Sequence, residues 1–178
     1  MFYLPEERRS QGILPDMSVK ENISINTLDT VSSWCGISKR KEITKAEEII
    51  KAYNVKTSDL NKEIKFLSGG NQQKVIIGRS TCTEPKILIF DEPTKGIDIG
   101  AKTEVYRLMK ELAEKGIAII LISSEMDEIK KCANRIICMY HGEVTGECTY
   151  GSEKEEILKA ILGIKTSDEE GQTDEQRV

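Results

Sequence analysis

Two stretches separated by one helix-length constrain this chain more than anything else in it. They are Leu67-Ser68-Gly69-Gly70-Asn71-Gln72-Gln73-Lys74 and Ile87-Leu88-Ile89-Phe90-Asp91-Glu92-Pro93-Thr94. The first opens a helix with a hydroxyl and two glycines. A helix start concentrates unpaired N–H groups and the positive end of the helix dipole, and glycine lets a phosphate come close to the backbone, so Ser68, Gly69 and Gly70 can form an anion site. The same residues also fit a simple N-cap. The second stretch reads as a buried parallel strand over Lys86 to Phe90 that ends in two adjacent carboxylates. Ligands of open α/β sheets bind beyond the carboxyl ends of strands, where Asp91 and Glu92 fall. Neighbouring strand residues point to opposite sides, so one acid can hold Mg²⁺ while the other orients and deprotonates water. A solvated strand end is the plainer reading, and it leaves the pairing after four apolar residues unexplained.

The rest of the chain alternates in a way that fits an α/β sheet protein with a separate helical part. Residues 19–66 read as helical, with Thr44-Lys45-Ala46-Glu47 as a capping box leading into Ile49, Ile50 and Tyr53. Trp34 and Tyr53 are assigned to packing there. Val105, Leu108, Met109 and Leu112 recur at helical spacing ahead of Gly116, and Ile117 to Ile122 reads as a further buried strand ending at Ser123-Ser124. Met126, Ile129 and Ala133 mark another helix. Arg135 to Tyr140 and Glu143 to Thr149 read as strands joined by a turn at His141-Gly142, and a last amphipathic helix carries Ile157, Leu158, Ile161 and Leu162. His141, the one histidine, is read as a solvated turn residue.

These motifs resemble those of ABC-transporter ATP-binding domains. LSGGNQQK corresponds to the signature motif, and ILIFDEPTKGID to the Walker B and D-loop segment. With Leu4-Pro5-Glu6-Glu7-Arg8-Arg9, Asp16-Met17-Ser18-Val19-Lys20-Glu21-Asn22-Ile23 and Ile122-Ser123-Ser124-Glu125-Met126, the resemblance is to the second ATP-binding domain of ribose-, galactose- and xylose-type importers. It implies an α/β fold: a partial P-loop NTPase (RecA-like) core with a mainly parallel sheet, plus an α-helical subdomain. The parts implied are a switch segment at 1–18, a helical subdomain at 19–66, a core at 67–163 and a disordered acidic tail at 164–178.

Roles follow by the same resemblance. Ser68, Gly69 and Gly70, with the adjoining Gln72, face ATP held by an opposing domain. Asp91 acts on Mg²⁺, Glu92 is the general base, and Asp98 couples two sites across a head-to-tail dimer. Glu6 stands where a glutamine is usual and Ser124 where a histidine is usual, and both are carried over as site residues with that departure. ATP and Mg²⁺ are the implied cofactors. The implied partners are membrane-spanning permease subunits, a second ATP-binding domain and, indirectly, a sugar-binding protein. The implied location is the cytoplasmic face of the membrane.

A phosphate loop of the form G-x-x-x-x-G-K-S/T is missing from the 178 residues. Gly96-Ile97-Asp98-Ile99-Gly100-Ala101-Lys102-Thr103 comes nearest, but its second glycine is one residue early and Ala101 separates it from the lysine. The family places the loop upstream of Met1, so the expectation is an amino-terminally truncated domain that does not bind ATP alone in the usual way. Two alternatives accompany the importer ATPase: a non-catalytic module lending its signature motif to a partner's ATP or docking to a membrane subunit, and a soluble ATPase of DNA repair or translation.

Charge bears on the last of these. The chain carries −4, and residues 165–178 hold five acids against two bases, which leaves −1 for the body and favours neither nucleic acid nor an anionic membrane surface. No apolar run reaches the roughly 20 residues of a membrane span. Cys35, Cys82, Cys132, Cys138 and Cys148 lack C-x-x-C spacing and are read as reduced structural thiols.

Overall fold

The computed structural model describes residues 1–34 and 36–164. The acidic tail expected from 164 onward lies, after Ile164, outside the described residues, as does Cys35. The chain divides into two compact units, one ending at Ser124 and the other beginning at Glu125.

The first unit is built around a three-stranded parallel sheet of β1 (Phe2–Leu4), β4 (Ile87–Asp91) and β5 (Ala118–Ile122), with β4 in the middle. Leu88 and Phe90 of β4 and Leu4 of β1 are fully buried on one face. The strand expected at Ile117 to Ile122 is present but is not buried throughout: Ile120 and Ile122 are about half exposed on the other face. Apolar content alone could not distinguish a strand covered on both faces from one covered on a single face.

Between β1 and β4 runs a mainly helical stretch: α1 (Val19–Ser24), α2 (Leu28–Val31), a short hairpin of β2 (Ser32–Ser33) and β3 (Gly36–Ile37), α3 (Lys39–Ala52) and α4 (Gly69–Thr81). The capping box expected at Thr44 is absent, because α3 already starts at Lys39 and Thr44 lies inside it. The box is instead at Ser18, whose hydroxyl and backbone engage Glu21 at the start of α1. Asn22, fully buried, donates to the carbonyls of Leu14, Met17 and Ser18 and accepts from Leu14 N–H, which pins the loop leading into α1. Tyr53 packs as expected, but Trp34 does not: it is 99% exposed beside the β2–β3 hairpin, which helical periodicity gave no sign of.

α4 lies deep in this unit, with every residue from Gln72 to Ser80 buried. α5 (Ile99–Glu114) follows β4 and buries Val105, Leu108, Met109 and Leu112, the stripe read from the sequence. The helix closes through Gly116 at a left-handed φ of 87°.

The second unit holds α6 (Met126–Cys132), the antiparallel pair β6 (Arg135–Tyr140) and β7 (Glu143–Thr149), and α7 (Lys154–Ile161). His141 and Gly142 form the turn, both at positive φ, as a two-residue hairpin demands. Ile136, Cys138, Cys148 and Ile157 form its core. Cys82, Cys132, Cys138 and Cys148 are free thiols, and burial pushes Cys132 up to about 11.

Candidate functional site

The two adjacent acids sit at the end of the central strand. Tyr3 of the neighbouring β1 donates its phenolic proton to Asp91 Oδ2 at 2.6 Å, a bond that raises the tyrosine's pKa above its ordinary value. Glu92 leaves the strand with φ of 44°, in the left-handed region that side chains avoid. Its N–H continues the sheet by donating to Ile122 O at 2.9 Å, and its carboxylate Oε1 accepts the Ser124 N–H at 2.7 Å. The turn thus spends local backbone strain to aim a half-buried carboxylate across the ends of β4 and β5. Ser124 meets this group through its backbone amide.

Glu6 joins the same end of the sheet by pairing with Lys95, whose pKa that bond raises. Asp91 is half-buried, and among the described residues only its Oδ2 has a donor, which leaves Oδ1 open. One hard carboxylate oxygen, completed by water and phosphate oxygens, is how Mg²⁺ is usually held, so the residues fit that ion.

A second group forms around the start of α4. Ser68 caps the helix, its exposed hydroxyl accepting from Asn71 N–H and from Asn71 Nδ2 at 2.9 Å. It lies on an open cleft lined also by Lys56, Thr57, Ser58, Lys62 and Phe66. The glycines have a packing reason that the sequence did not disclose. A Cβ on Gly69 would come within 2.5 Å of Arg8 Nη2, and one on Gly70 within 2.4 Å of Ala101 Cβ. The starts of α4 and α5 therefore touch, and Asp98 caps α5 there by accepting from Ala101 N–H at 2.9 Å. The nearest thing to a phosphate loop in the sequence, Gly96 to Thr103, is thus a capped helix start with Gly100 and Ala101 already helical.

Gln72 is turned inward and 2% exposed. Its Nε2 donates to the carbonyls of Ile64 and Leu67, both at 3.2 Å, and its Oε1 accepts from Arg8 Nε at 3.3 Å. Arg8 also donates to Lys95 O at 2.9 Å and Gly96 O at 3.1 Å, so one guanidinium ties the Glu6 segment, α4 and the Thr94–Asp98 turn together. Partial burial lowers its pKa. No hydrogen bond among the described residues joins Ser68 to Asp91 or Glu92. The structure brings Glu6, Asp91, Glu92 and Ser124 to one group, and Ser68, Gly69, Gly70 and Asp98 to another, with Gln72 behind the latter. Tyr3, Arg8 and Lys95 had no assigned role in the sequence, and only the closeness of Arg8 and Lys95 to recognisable motifs pointed to them.

A parallel sheet with paired carboxylates at the end of its central strand, and a Ser-Gly-Gly helix start backed onto the following helix, fits the fold of a cassette of the P-loop class. The sequence profile of the ABC transporter family matches residues 2–95, and the chain belongs to that family. It is 44% identical over 166 residues to the ribose import ATP-binding protein RbsA of Caldanaerobacter subterraneus subsp. tengcongensis, covering 92% of this chain and 34% of that protein. It is 41% identical over 168 residues to ribose import ATP-binding protein RbsA 2 of Rubrobacter xylanophilus, covering 93% and 32%. The chain thus spans about a third of the length of these curated relatives. Among solved structures, the dimeric bacterial ABC transporter cassette MJ0796 superposes with a TM-score of 0.69 at 23% identity, covering 85% of this chain and 63% of that one. The cassette MJ1267 gives 0.69 at 23% identity, covering 91% and 67%. At that identity the likeness establishes the fold.

Proposed function

We propose that this chain is part of the ATP-hydrolysing component of a monosaccharide importer, bound at the inner face of the membrane to permease subunits that receive sugar from a binding protein. The relatives in ribose import support the substrate class. The observation that carries the reading is the Glu92 carboxylate, held by the Ser124 amide at the carboxyl end of β4 beside Asp91.

In this reading ATP lies between two cassettes facing head to tail. Ser68 and the Gly69 and Gly70 amides of one cassette meet the γ-phosphate of ATP bound to the other. Asp91 would hold Mg²⁺ together with water, and the ion would supply charge neutralisation to the phosphates. Glu92 takes a proton from water as the water oxygen bonds to the γ-phosphorus and the bond to the ADP oxygen breaks. Tyr3 orients Asp91, and Glu6 and Ser124 occupy the edge of the same site. Asp98 couples the two sites across the interface, and Gln72 shapes the signature turn from behind. The phosphate loop, which these 178 residues do not contain, comes from another segment or subunit.

Supplied with a phosphate loop by fusion or mixing, and with permease subunits in a bilayer, the cassette hydrolyses ATP. Glu92→Gln lowers kcat by about a hundredfold or more, the scale of a lost general base, and leaves nucleotide binding within about twofold. Undiminished turnover in that variant removes Glu92 from the role. The missing phosphate loop and the capture of Glu6 by Lys95 favour one second reading, a non-catalytic module that only lends Ser68, Gly69 and Gly70 to a partner's ATP. Micromolar binding of fluorescent Mg-ATP by the isolated chain rules that out.

A further inference from the structure

The region between α2 and α3 combines exposed apolar side chains with a basic, uncapped helix start. Trp34 is 99% exposed at the tip of the β2–β3 hairpin, with Ile37 52% exposed on the returning strand and Leu28 40% exposed on α2. A large aromatic held in water gains nothing for folding. Directly after the hairpin, Lys39, Arg40 and Lys41 occupy the first turn of α3, where the helix dipole disfavours cations. No side chain caps that helix start. The acid in this turn, Glu42, points inward, bonded to Ser24 and paired with Lys20, and so does not neutralise the three bases. Lys39 and Arg40 have no ion pair among the described residues, and Lys41 only reaches the Thr30 carbonyl. Asp29 on α2 and Glu47 and Glu48 further along α3 are exposed acids. Local rules broken together, without a stabilising return, mark a functional surface.

We propose that this tip binds an anionic lipid surface, with Trp34 at the interfacial level, Leu28 and Ile37 beside it, and Lys39, Arg40 and Lys41 against the headgroup phosphates. Tryptophan suits the boundary between water and acyl chain because its ring is apolar and its N–H polar. Long basic side chains can lay their stems along that boundary and keep their charge in the headgroups. Each contributes about fivefold to partitioning onto an anionic leaflet. A protein partner fits less well, since interface cores are depleted in lysine, whereas this hairpin is flanked by Lys39 and Lys41. The near-neutral charge of the whole body concealed the patch, because it averages over residues that the fold separates. This binding would be additional to any contact with permease subunits and does not use the nucleotide site.

The protein supplies its own probe, because Trp34 is the sole tryptophan. Mixed with vesicles of phosphatidylcholine containing a quarter phosphatidylglycerol, at low salt, the chain shows a blue shift of its emission and quenching by brominated lipids. Co-sedimentation with the same vesicles falls about tenfold for Trp34→Ala, from loss of a large apolar contact. It falls about a hundredfold for Lys39, Arg40 and Lys41 changed together to Gln, and high salt reproduces that loss. Both variants retain the wild-type melting curve, since the altered side chains are exposed. An unshifted emission with the anionic vesicles overturns the proposal, as does equal binding to vesicles of phosphatidylcholine alone. A shift that appears only with permease subunits in detergent also overturns it and assigns the tip to a protein partner.

Discussion

Helices α4 and α5 follow one another in the first unit, touch at their starts through Gly70 and Ala101, and are both capped by a side chain, yet they are built on opposite principles. α5 buries one apolar stripe and leaves its other faces to solvent. α4 is buried from Gln72 through Ser80, and Gln72, Gln73, Lys74, Arg79 and Ser80 go inside with Val75, Ile76 and Ile77. Burying polar groups is tolerable only when they are bonded, and most of these are. Gln72 holds the turn before the helix, Lys74 pairs with Glu104 and donates to Asn54 O, and Ser80 donates to Ile77 O at 2.7 Å. α5 is therefore a cover held by area, and α4 an internal mast held by specific bonds. The helix that presents Ser68 is the more enclosed of the two.

If that contrast is right, α4 tolerates neither added volume nor lost bonds. Gly78→Val is the most severe test. A Cβ there would stand 2.5 Å from Ile49 Cγ2 and 3.0 Å from Tyr53, so α3 has to move away, and we expect a loss of about 3 kcal/mol in a urea melt. A loss below about 1 kcal/mol would show that α3 yields easily and that the mast is loosely held. Arg79→Met comes next. The buried guanidinium donates to Gly12 O and to Asn22 O, and burial lowers its pKa. Methionine fills much of the same space but abandons both carbonyls, and we expect a loss of about 2 kcal/mol. A neutral outcome would mean that apolar packing, not bonding, holds α4.

The same contrast decides what could be read from the sequence. The α5 stripe, the strand ending in Asp91-Glu92 and the His141-Gly142 hairpin were all legible, because each expresses itself in local periodicity or turn chemistry. The burial of α4 was not, since Asn71-Gln72-Gln73-Lys74 reads as a polar surface until its partners at Arg8, Ile64, Asn54 and Glu104, far along the chain, are known. Thr44 and Ser18 both match the short capping-box pattern, and only the true start of α3 at Lys39 separates them. The carboxylate pair was visible, but the left-handed turn at Glu92 that aims one of them, and the Tyr3 hydroxyl on the other, depend on strand neighbours remote in sequence. Trp34 reads as a packing residue because most tryptophans pack, and its exposure emerges only with the β2–β3 hairpin.

The Ser18 box offers a smaller and pH-dependent test, since α1 carries Asn22, on which Arg79 of α4 rests. Hydrogen bonds from the Ser18 hydroxyl and then from its backbone hold the Glu21 carboxyl below its ordinary value of 4.5. A carboxyl depressed by folding contributes stability that is present above 4.5 and is lost as pH falls through the lower folded value. Ser18→Ala is therefore expected to cost about 1 kcal/mol near neutrality. The difference from wild type narrows as the melts are taken into acid below that value. A gap that stays constant down the titration would assign the cost to helix capping of the backbone alone.

The mildest change sharpens the comparison most directly, because it repeats the Arg79 experiment on the other helix. Arg107 on α5 pairs with Glu111 one turn on, with the two side chains 56% and 41% exposed. The arginine precedes the acid, the weaker orientation against the helix dipole, and water already solvates both groups. Arg107→Met is expected to change stability by less than about 0.5 kcal/mol. Added salt is expected to leave its melt unmoved relative to wild type. The two substitutions are chemically identical, so the ratio of their effects measures burial with bonding against exposure with charge. Equal losses at Arg79 and Arg107 would dissolve the distinction between a bonded mast and an apolar cover. They would also remove the physical reason for expecting the start of α4 to be the more rigid of the two helix ends.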